Sequence, residues 1–212
     1  MNMDIKILFI DTSEPFSIFE KYLPLVSEER QKRIERFHFD KDKTISLFAE
    51  LLIRNEISRQ LDISYDRIKF GYSEHGKPYL INCPDYYFSV SHSGNCIAFV
   101  SDNASIGIDV EQIGDRNLDI AKRFFTENEF EFIQNSKEPQ IAFYQIWTAK
   151  EAYVKMLGVG LSKSFDSFDI FSDELKHHFS HQQISDYMLT VCSESSNCEL
   201  TIEEVNAEDL LK

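Results

Sequence analysis

Apolar positions along this chain follow two rhythms, one helical and one alternating. Between residues 42 and 61, Ile45, Phe48, Leu51, Leu52, Ile57 and Leu61 recur at near-helical spacing, which predicts a long amphipathic helix. A second long helix is expected from Pro139, a residue suited to a first helical turn, to Leu157, with Gly158 as its stop. Ser27 followed by Glu28 and Glu29 opens a charged helical segment that runs to Phe39, and residues 120–125 form a shorter helix. Thr126, Glu127, Asn128 and Glu129 have the form of a capping box that starts another. Residues 4–10, 68–73, 87–93, 96–101 and 105–111 read as strands punctuated by Gly, Pro and Asn. In the second half, 165–171, 187–193 and 198–204 have the same character. Helices with an antiparallel set of strands in each half predict an α+β fold, with two similar lobes meeting near residue 104.

Composition narrows the picture only slightly. At 42% hydrophobic and 27% charged residues, the 212-residue chain has the make-up of an ordinary soluble globular protein, and 18 Phe against one Trp predict an aromatic core. Charge excludes more. With 22 Lys and Arg against 36 Asp and Glu the formal net charge is −14, and no basic stripe offsets it, so no nucleic-acid partner is expected. An anionic small ligand would need a local basic pocket set against that field. The cysteines at 83, 96, 192 and 198 form no metal-like spacing and are expected to be free thiols. The first residues lack the form of a signal peptide and no apolar run has the length of a membrane span, so a cytoplasmic protein with no membrane partner is expected.

The chemistry-bearing residues are concentrated in four places. In Ile106-Gly-Ile-Asp-Val-Glu111, strand alternation places Asp109 and Glu111 on one face and Ile106, Ile108 and Val110 on the other. An isolated Asp-x-Glu is most simply a solvated strand face; on a short apolar strand it also suits a hard cation such as Mg²⁺. In Trp147-Thr-Ala-Lys-Glu-Ala-Tyr-Val-Lys155, residues Trp147, Glu151 and Lys155 share a helix face. A surface Glu–Lys pair accounts for that spacing too, worth only about 0.2–0.5 kcal/mol. If the single Trp marks a face turned into a cleft, Glu151 completes a three-carboxylate metal site, and Lys150 and Lys155 offer contacts to phosphate. Gly76-Lys77-Pro78 sets an ammonium on a rigid turn, and Ser91, His92 and Ser93 group hydrogen-bond donors at a strand end. A Ser–His nucleophile is disfavoured, because adjacent strand residues point to opposite faces.

Taken in order, Gly-Lys-Pro (76–78), Phe-Ser-Val-Ser-His-Ser (88–93), Ile-Gly-Ile-Asp-Val-Glu (106–111), Trp-x-x-Lys-Glu-x-x-x-Lys (147–155) and Gly-Val-Gly-Leu (158–161) resemble the Sfp-type 4'-phosphopantetheinyl transferases. Lys-Arg-Phe-Phe (122–125) and Phe-Asp-Ser-Phe (165–168) also fall where that family has them, so the resemblance spans about Ser27 to Phe168. It implies two pseudo-symmetric lobes, each an antiparallel sheet packed with helices, residues 1–104 binding coenzyme A and 105–212 carrying the metal site, the catalytic helix and the carrier-docking surface. Asp109, Glu111 and Glu151 would hold Mg²⁺ (Mn²⁺ remains open) at the coenzyme A pyrophosphate, with Lys155 beside it. Lys77 and Pro78, Ser91 and His92 would contact the coenzyme's phosphates and ribose, and Arg30 and Arg33 its 3'-phosphate. The implied reaction moves phosphopantetheine onto a serine of an apo acyl or peptidyl carrier protein, with Glu151 and Lys155 as catalytic groups, and the length points to a monomer. Near Ile45 and Ser46 the family often has an arginine that this chain lacks, with Lys43 the nearest cation. Rival readings are a metal-dependent phosphohydrolase and a non-catalytic coenzyme A or carrier-binding protein. As carrier-docking candidates the sequence offers Lys122 to Phe125 and the region after Gly158.

Overall fold

The computed structural model describes residues 2–115, 118–195 and 198–211, without the Leu161 side chain. A four-stranded sheet has the order β4-β5-β1-β9, built from β1 (Asn2–Phe9), β4 (Tyr87–Ser93), β5 (Cys96–Asp102) and β9 (Glu199–Glu204). A three-stranded sheet has the order β6-β8-β7, from β6 (Ile106–Gln112), β7 (Phe179–Ile184) and β8 (Tyr187–Ser193). β2 (Phe70–Tyr72) and β3 (Pro78–Leu80) form a small hairpin. Pairing is antiparallel except between β1 and β9, which run parallel. The helices are α1 (Glu28–Glu35), α2 (Asp40–Leu61), α3 (Asp119–Phe124), α4 (Glu127–Asn135) and α5 (Pro139–Leu157). The class is α+β with helices packed on largely antiparallel sheets, as the apolar pattern predicts.

Period-two alternation sorts the strands into layers. Met3, Ile5 and Ile7 of β1 and Ala98 and Val100 of β5 meet Ile106, Ile108 and Val110 of β6 and Leu189 and Val191 of β8, so the two sheets share one dry interface. The opposite face of β5, Ile97 and Phe99, packs with Phe88 under α2. The opposite face of β8, Met188 and Cys192, packs under α5. The order of layers is therefore helix, sheet, sheet, helix. β5 is buried on both faces, which explains its unbroken apolar sequence.

Several expectations change in detail. The long helix at 42–61 is enveloped rather than amphipathic: from Thr44 to Arg54 every residue is buried, Ser46, Glu50 and Arg54 included. Residues 165–171 are not a strand. They form a short 3-10 turn and loop whose Phe165, Phe168 and Ile170 pack on α5 and α4, because these apolar positions break strict alternation. β7 was not expected, since Phe-Ser-His-Gln-Gln-Ile is too polar for a buried strand and lies at a sheet edge. β9 belongs to the first sheet, and residues 207–211 turn back under α2 with Leu210 buried. The capping box at Thr126 and Glu129 forms in both directions, and Gly158 ends α5 at φ 68°.

Beneath α5 lies a buried polar line. Thr148 donates to the Tyr144 carbonyl (2.8 Å), leaving its oxygen to accept from Thr190 Oγ1 (2.6 Å), which in turn accepts from Nδ1 of His181 (2.8 Å). Burial pushes the His181 imidazole down to about 4. A histidine held neutral in the fold supports stability above the unfolded value of about 6.5, and loses that support as pH falls toward its folded value. Acid destabilisation of the wild-type protein should therefore carry an extra slope of up to about 1.4 kcal/mol per pH unit between pH 6.5 and 4. Denaturant midpoints across that range should show the slope, and His181→Gln should flatten it.

Candidate active site

The site lies where β4, an edge of the first sheet, passes β6, an edge of the second. Ser89, Ser91 and Ser93 share one face of β4. Ser89 Oγ accepts from Ile108 N (3.1 Å), and Ser93 Oγ accepts from Gln112 N (3.1 Å) while donating to Glu111 Oε2 (2.7 Å). Ser91 Oγ donates to Asp109 Oδ1 (2.7 Å). Hydroxyls thus satisfy two edge N–H groups and orient both carboxylates of β6.

α5 completes the site, and Gly107 sets how near it comes. A Cβ on residue 107 would sit 2.0 Å from the Ala152 carbonyl oxygen and 2.5 Å from Met156 N, so only glycine permits this approach. Next to Ala152, Glu151 reaches the cleft, as does Lys155 about one turn further on. Lys155 Nζ bridges Asp109 Oδ1 (2.7 Å) and Ser91 Oγ (2.8 Å). Asp109 is buried, and its Oδ2 has no hydrogen-bond partner. Burial holds the Glu151 carboxyl above its ordinary value; the charges of Asp109 and Glu111 add to this and Lys155 opposes it. As the side chains stand, no group of three His, Cys, Asp or Glu able to hold a metal ion occurs among the described residues.

A cleft of about 310 Å³ opens here, lined by Lys77, Pro78, Phe88, Val90, Glu151 and Lys155 among others. Lys77 does not point freely into it. Its ammonium donates to the carbonyls of Ile106 (3.0 Å) and Met156 (3.1 Å), clasping the Gly-Lys-Pro turn to the start of β6 and the end of α5, and burial lowers it to about 8. His92, next to Ser91 but on the other face of β4, has its imidazole held below the ordinary value. Desolvation is the main cause, followed by the charges of Lys155, Arg33 and Arg30. The two arginines of α1 therefore lie within electrostatic reach of the site, a local cationic group on an acidic protein.

Lys150 requires a correction. The sequence offered it as a phosphate contact, but its side chain is fully buried and its ammonium is saturated. It pairs with Glu129 Oε2 (2.8 Å) and donates to the carbonyls of Phe165 (2.6 Å) and Phe168 (2.7 Å), with the Phe168 ring 4.2 Å away. Glu129 also accepts from Ile170 N and Thr126 N, so the pair ties α4, α5 and the 165–170 loop together. Trp147 stacks with Phe143 and meets Phe165 edge-on, away from the cleft that its presence had suggested. Ser89 was not singled out from the sequence, although serines at 89, 91 and 93 carry a period-two signal.

Two family models match the chain in turn. A model of the 4'-phosphopantetheinyl transferase superfamily matches residues 105–206, and one of the 4'-phosphopantetheinyl transferase N-terminal region matches residues 14–104. The 4'-phosphopantetheinyl transferase Sfp of Bacillus subtilis (strain 168) is 36% identical over 153 residues, which cover 71% of this chain and 68% of that protein. The chain belongs to the 4'-phosphopantetheinyl transferase family. The transferase gsp of Aneurinibacillus migulanus is 34% identical over 77% of this chain and 70% of its own length. The L-aminoadipate-semialdehyde dehydrogenase-phosphopantetheinyl transferase of Schizosaccharomyces pombe is 29% identical, covering 76% of this chain and 71% of its own. Among solved structures, the holo-[acyl-carrier-protein] synthase (AcpS) of Thermotoga maritima matches 44% of this transferase and 64% of that chain, at 18% identity and a TM-score of 0.36.

Gly107→Ala tests the packing that positions the transferase's cleft. Separating β6 from α5 should cost about 1–3 kcal/mol of stability. The shift at Glu151 and Lys155 should lower the transfer rate on the order of 100-fold. Chemical denaturation and steady-state kinetics on the purified variant measure the two effects.

Proposed function

We propose that this transferase moves the 4'-phosphopantetheine group of coenzyme A to a serine of an apo acyl or peptidyl carrier protein and releases 3',5'-ADP. The observation that carries the reading is Lys155, held between Asp109 and Ser91 beside the raised carboxyl of Glu151 at the cleft rim. Asp109, Glu111 and Glu151 would hold Mg²⁺ or Mn²⁺. The unpartnered buried Oδ2 of Asp109 and the Glu151 carboxyl, raised by burial and further by the charges of Asp109 and Glu111, fit a hard cation with oxygen ligands. When bound, the ion supplies charge neutralisation at the pyrophosphate.

The protein's own groups account for the rest. Lys155 stabilises charge on the leaving ADP, and Arg30 and Arg33 take the separate 3'-phosphate, with His92 orienting the phosphates between them. Pro78 stiffens the turn at the cleft wall, and Lys77 acts through its clasp. The serine oxygen bonds to the β-phosphorus, the bond from that phosphorus to the bridging oxygen breaks, and the serine proton passes to Glu151. A carboxyl raised by burial is a better proton acceptor than an ordinary glutamate. Residues 1–104 serve as the coenzyme-binding lobe and residues 105–212, apart from the 199–211 segment that joins the first sheet and packs under α2, as the metal-bearing lobe of a cytoplasmic monomer.

For the carrier we propose the surface at Arg123 and Phe124. Phe125 is buried in the core, whereas Phe124 is exposed with the Arg123 guanidinium 5.1 Å from its ring centre. A cation on an apolar plate suits an acidic protein partner.

Incubation of apo carrier protein with the transferase, coenzyme A and Mg²⁺ should add the mass of one phosphopantetheine group, and chelation should abolish the gain. Intact-mass spectrometry decides this, and no gain on any carrier would leave a binding protein. Glu151→Gln should lower turnover by a factor of about 10² or more. Near-normal turnover with intact metal binding would remove Glu151 as the base. Arg123→Glu should raise KM for the carrier and leave KM for coenzyme A unchanged; steady-state kinetics with each substrate varied would show an effect confined to coenzyme A if the docking assignment is wrong.

A further inference from the structure

Glu50 of α2 is 1% exposed and gathers four donors, three from α1 and its N-cap and one from α2 itself. Ser27 N (2.7 Å) and Arg54 Nε (2.8 Å) reach its Oε1, while Ser27 Oγ (3.1 Å) and Arg30 Nε (3.0 Å) reach its Oε2. Arg54 is itself pinned to the carbonyls of Tyr65 and Ile68 and lies over the Phe70 ring, so the carboxylate sits in a rigid frame. Ser27 is also the N-cap of α1, accepting from Arg30 N, so the same contacts that start the helix fix its first turn on α2. One helical turn before Glu50, buried Ser46 accepts from Arg30 NH1 at 3.2 Å. Two bonds from one helix therefore set the plane of the Arg30 guanidinium, whose side chain remains 17% exposed.

This arrangement exceeds what stability requires. A buried carboxylate held by Arg54 and Ser27 already has a cation and two further donors; the addition of Arg30 leaves the triad with a net positive charge. That charge lies on the His92 side of the site. The carboxylates Asp109 and Glu111 lie on the other strand, across the serine contacts. Coenzyme A has two anionic centres, and the site carries two charged regions, the α1 arginines near His92 and the Lys155 group.

We propose that Glu50 and Ser46 are positioning residues that aim Arg30 at the 3'-phosphate of coenzyme A. The proposal rests on the reading of coenzyme A as substrate, and the test separates the two.

Binding of coenzyme A and of 3'-dephospho-coenzyme A is measured by calorimetry on the wild-type protein, Ser46→Ala and Glu50→Gln, with steady-state kinetics alongside. The wild-type protein should prefer coenzyme A. Ser46→Ala, which removes one acceptor and no charge, should weaken coenzyme A by roughly five- to tenfold, the worth of one ordinary hydrogen bond. Its affinity for the dephospho compound should not change, and KM for coenzyme A should rise while kcat is kept. Glu50→Gln should narrow the preference further if it folds, and Ser46→Ala alone decides if it does not. Undiminished preference in Ser46→Ala overturns the proposal, as does equal weakening of both ligands, which marks a merely structural role. A wild-type protein that binds neither compound overturns the coenzyme A reading, and the positioning role with it.

Discussion

Two sheets in this molecule stack face to face, and the contact between their edge strands β4 and β6 governs everything placed around it. An unpaired strand edge presents backbone donors that must be satisfied. Here a second strand does not pair with it; serine hydroxyls on β4 meet the N–H groups of Ile108 and Gln112 instead. A hydroxyl is a donor as well as an acceptor, so the same contacts that finish the edge of β6 can also orient its carboxylates. Ser93 does both at once. A continuous sheet across this boundary would have used those backbone groups for strand pairing and given no comparable hold on Asp109 and Glu111.

The charge balance at the site depends on that geometry. Three acidic side chains and one ammonium are drawn to one end of the contact, on a protein already carrying an excess of acid. Asp109 keeps a buried oxygen without a partner, and Glu151 is raised by burial and then by its acidic neighbours. Such an arrangement is costly for a resting fold and favourable once compensating charge arrives. The cost is held in place by apolar packing further away: the dry interface between the sheets, the glycine that lets α5 settle on β6, and the Lys150–Glu129 pair beneath.

Much of this was legible in the sequence. Alternation in 106–111 put Asp109 and Glu111 on one face, and helical spacing put Glu151 and Lys155 together; both are local periodicities that burial reinforces. The fold class followed from the same patterns. Long-range partnership was much less legible. Lys150 and Lys155 are equally polar letters on one helix, and only tertiary packing sends the first into a phenylalanine cage and the second to the cleft. Lys77 sits on the expected turn, yet its ammonium goes to two carbonyls far away in sequence. Residues 165–171 misled because aromatic residues that wrap a buried cation resemble a strand in composition, while β7 was hidden by the polarity an edge strand tolerates. Glu50 was invisible because a single acid within an apolar helical pattern carries no sign of the four donors around it.

The parallel pairing of β1 with β9 bears on how the molecule is made. The register runs from Asn2 opposite Glu199 to Ile7 opposite Glu204, so β1 waits for a partner strand made about two hundred residues later. Its other neighbour, β5, arrives much earlier, and α2 earlier still. During synthesis the first sheet therefore stands for a time with one side of β1 open, although the hydrophobic core under α2 can already form. Closing it joins residues about two hundred apart, a slow step on loop-entropy grounds. The first sheet thus reaches its final form only when the segment beyond α5 folds back, which makes its completion a late event.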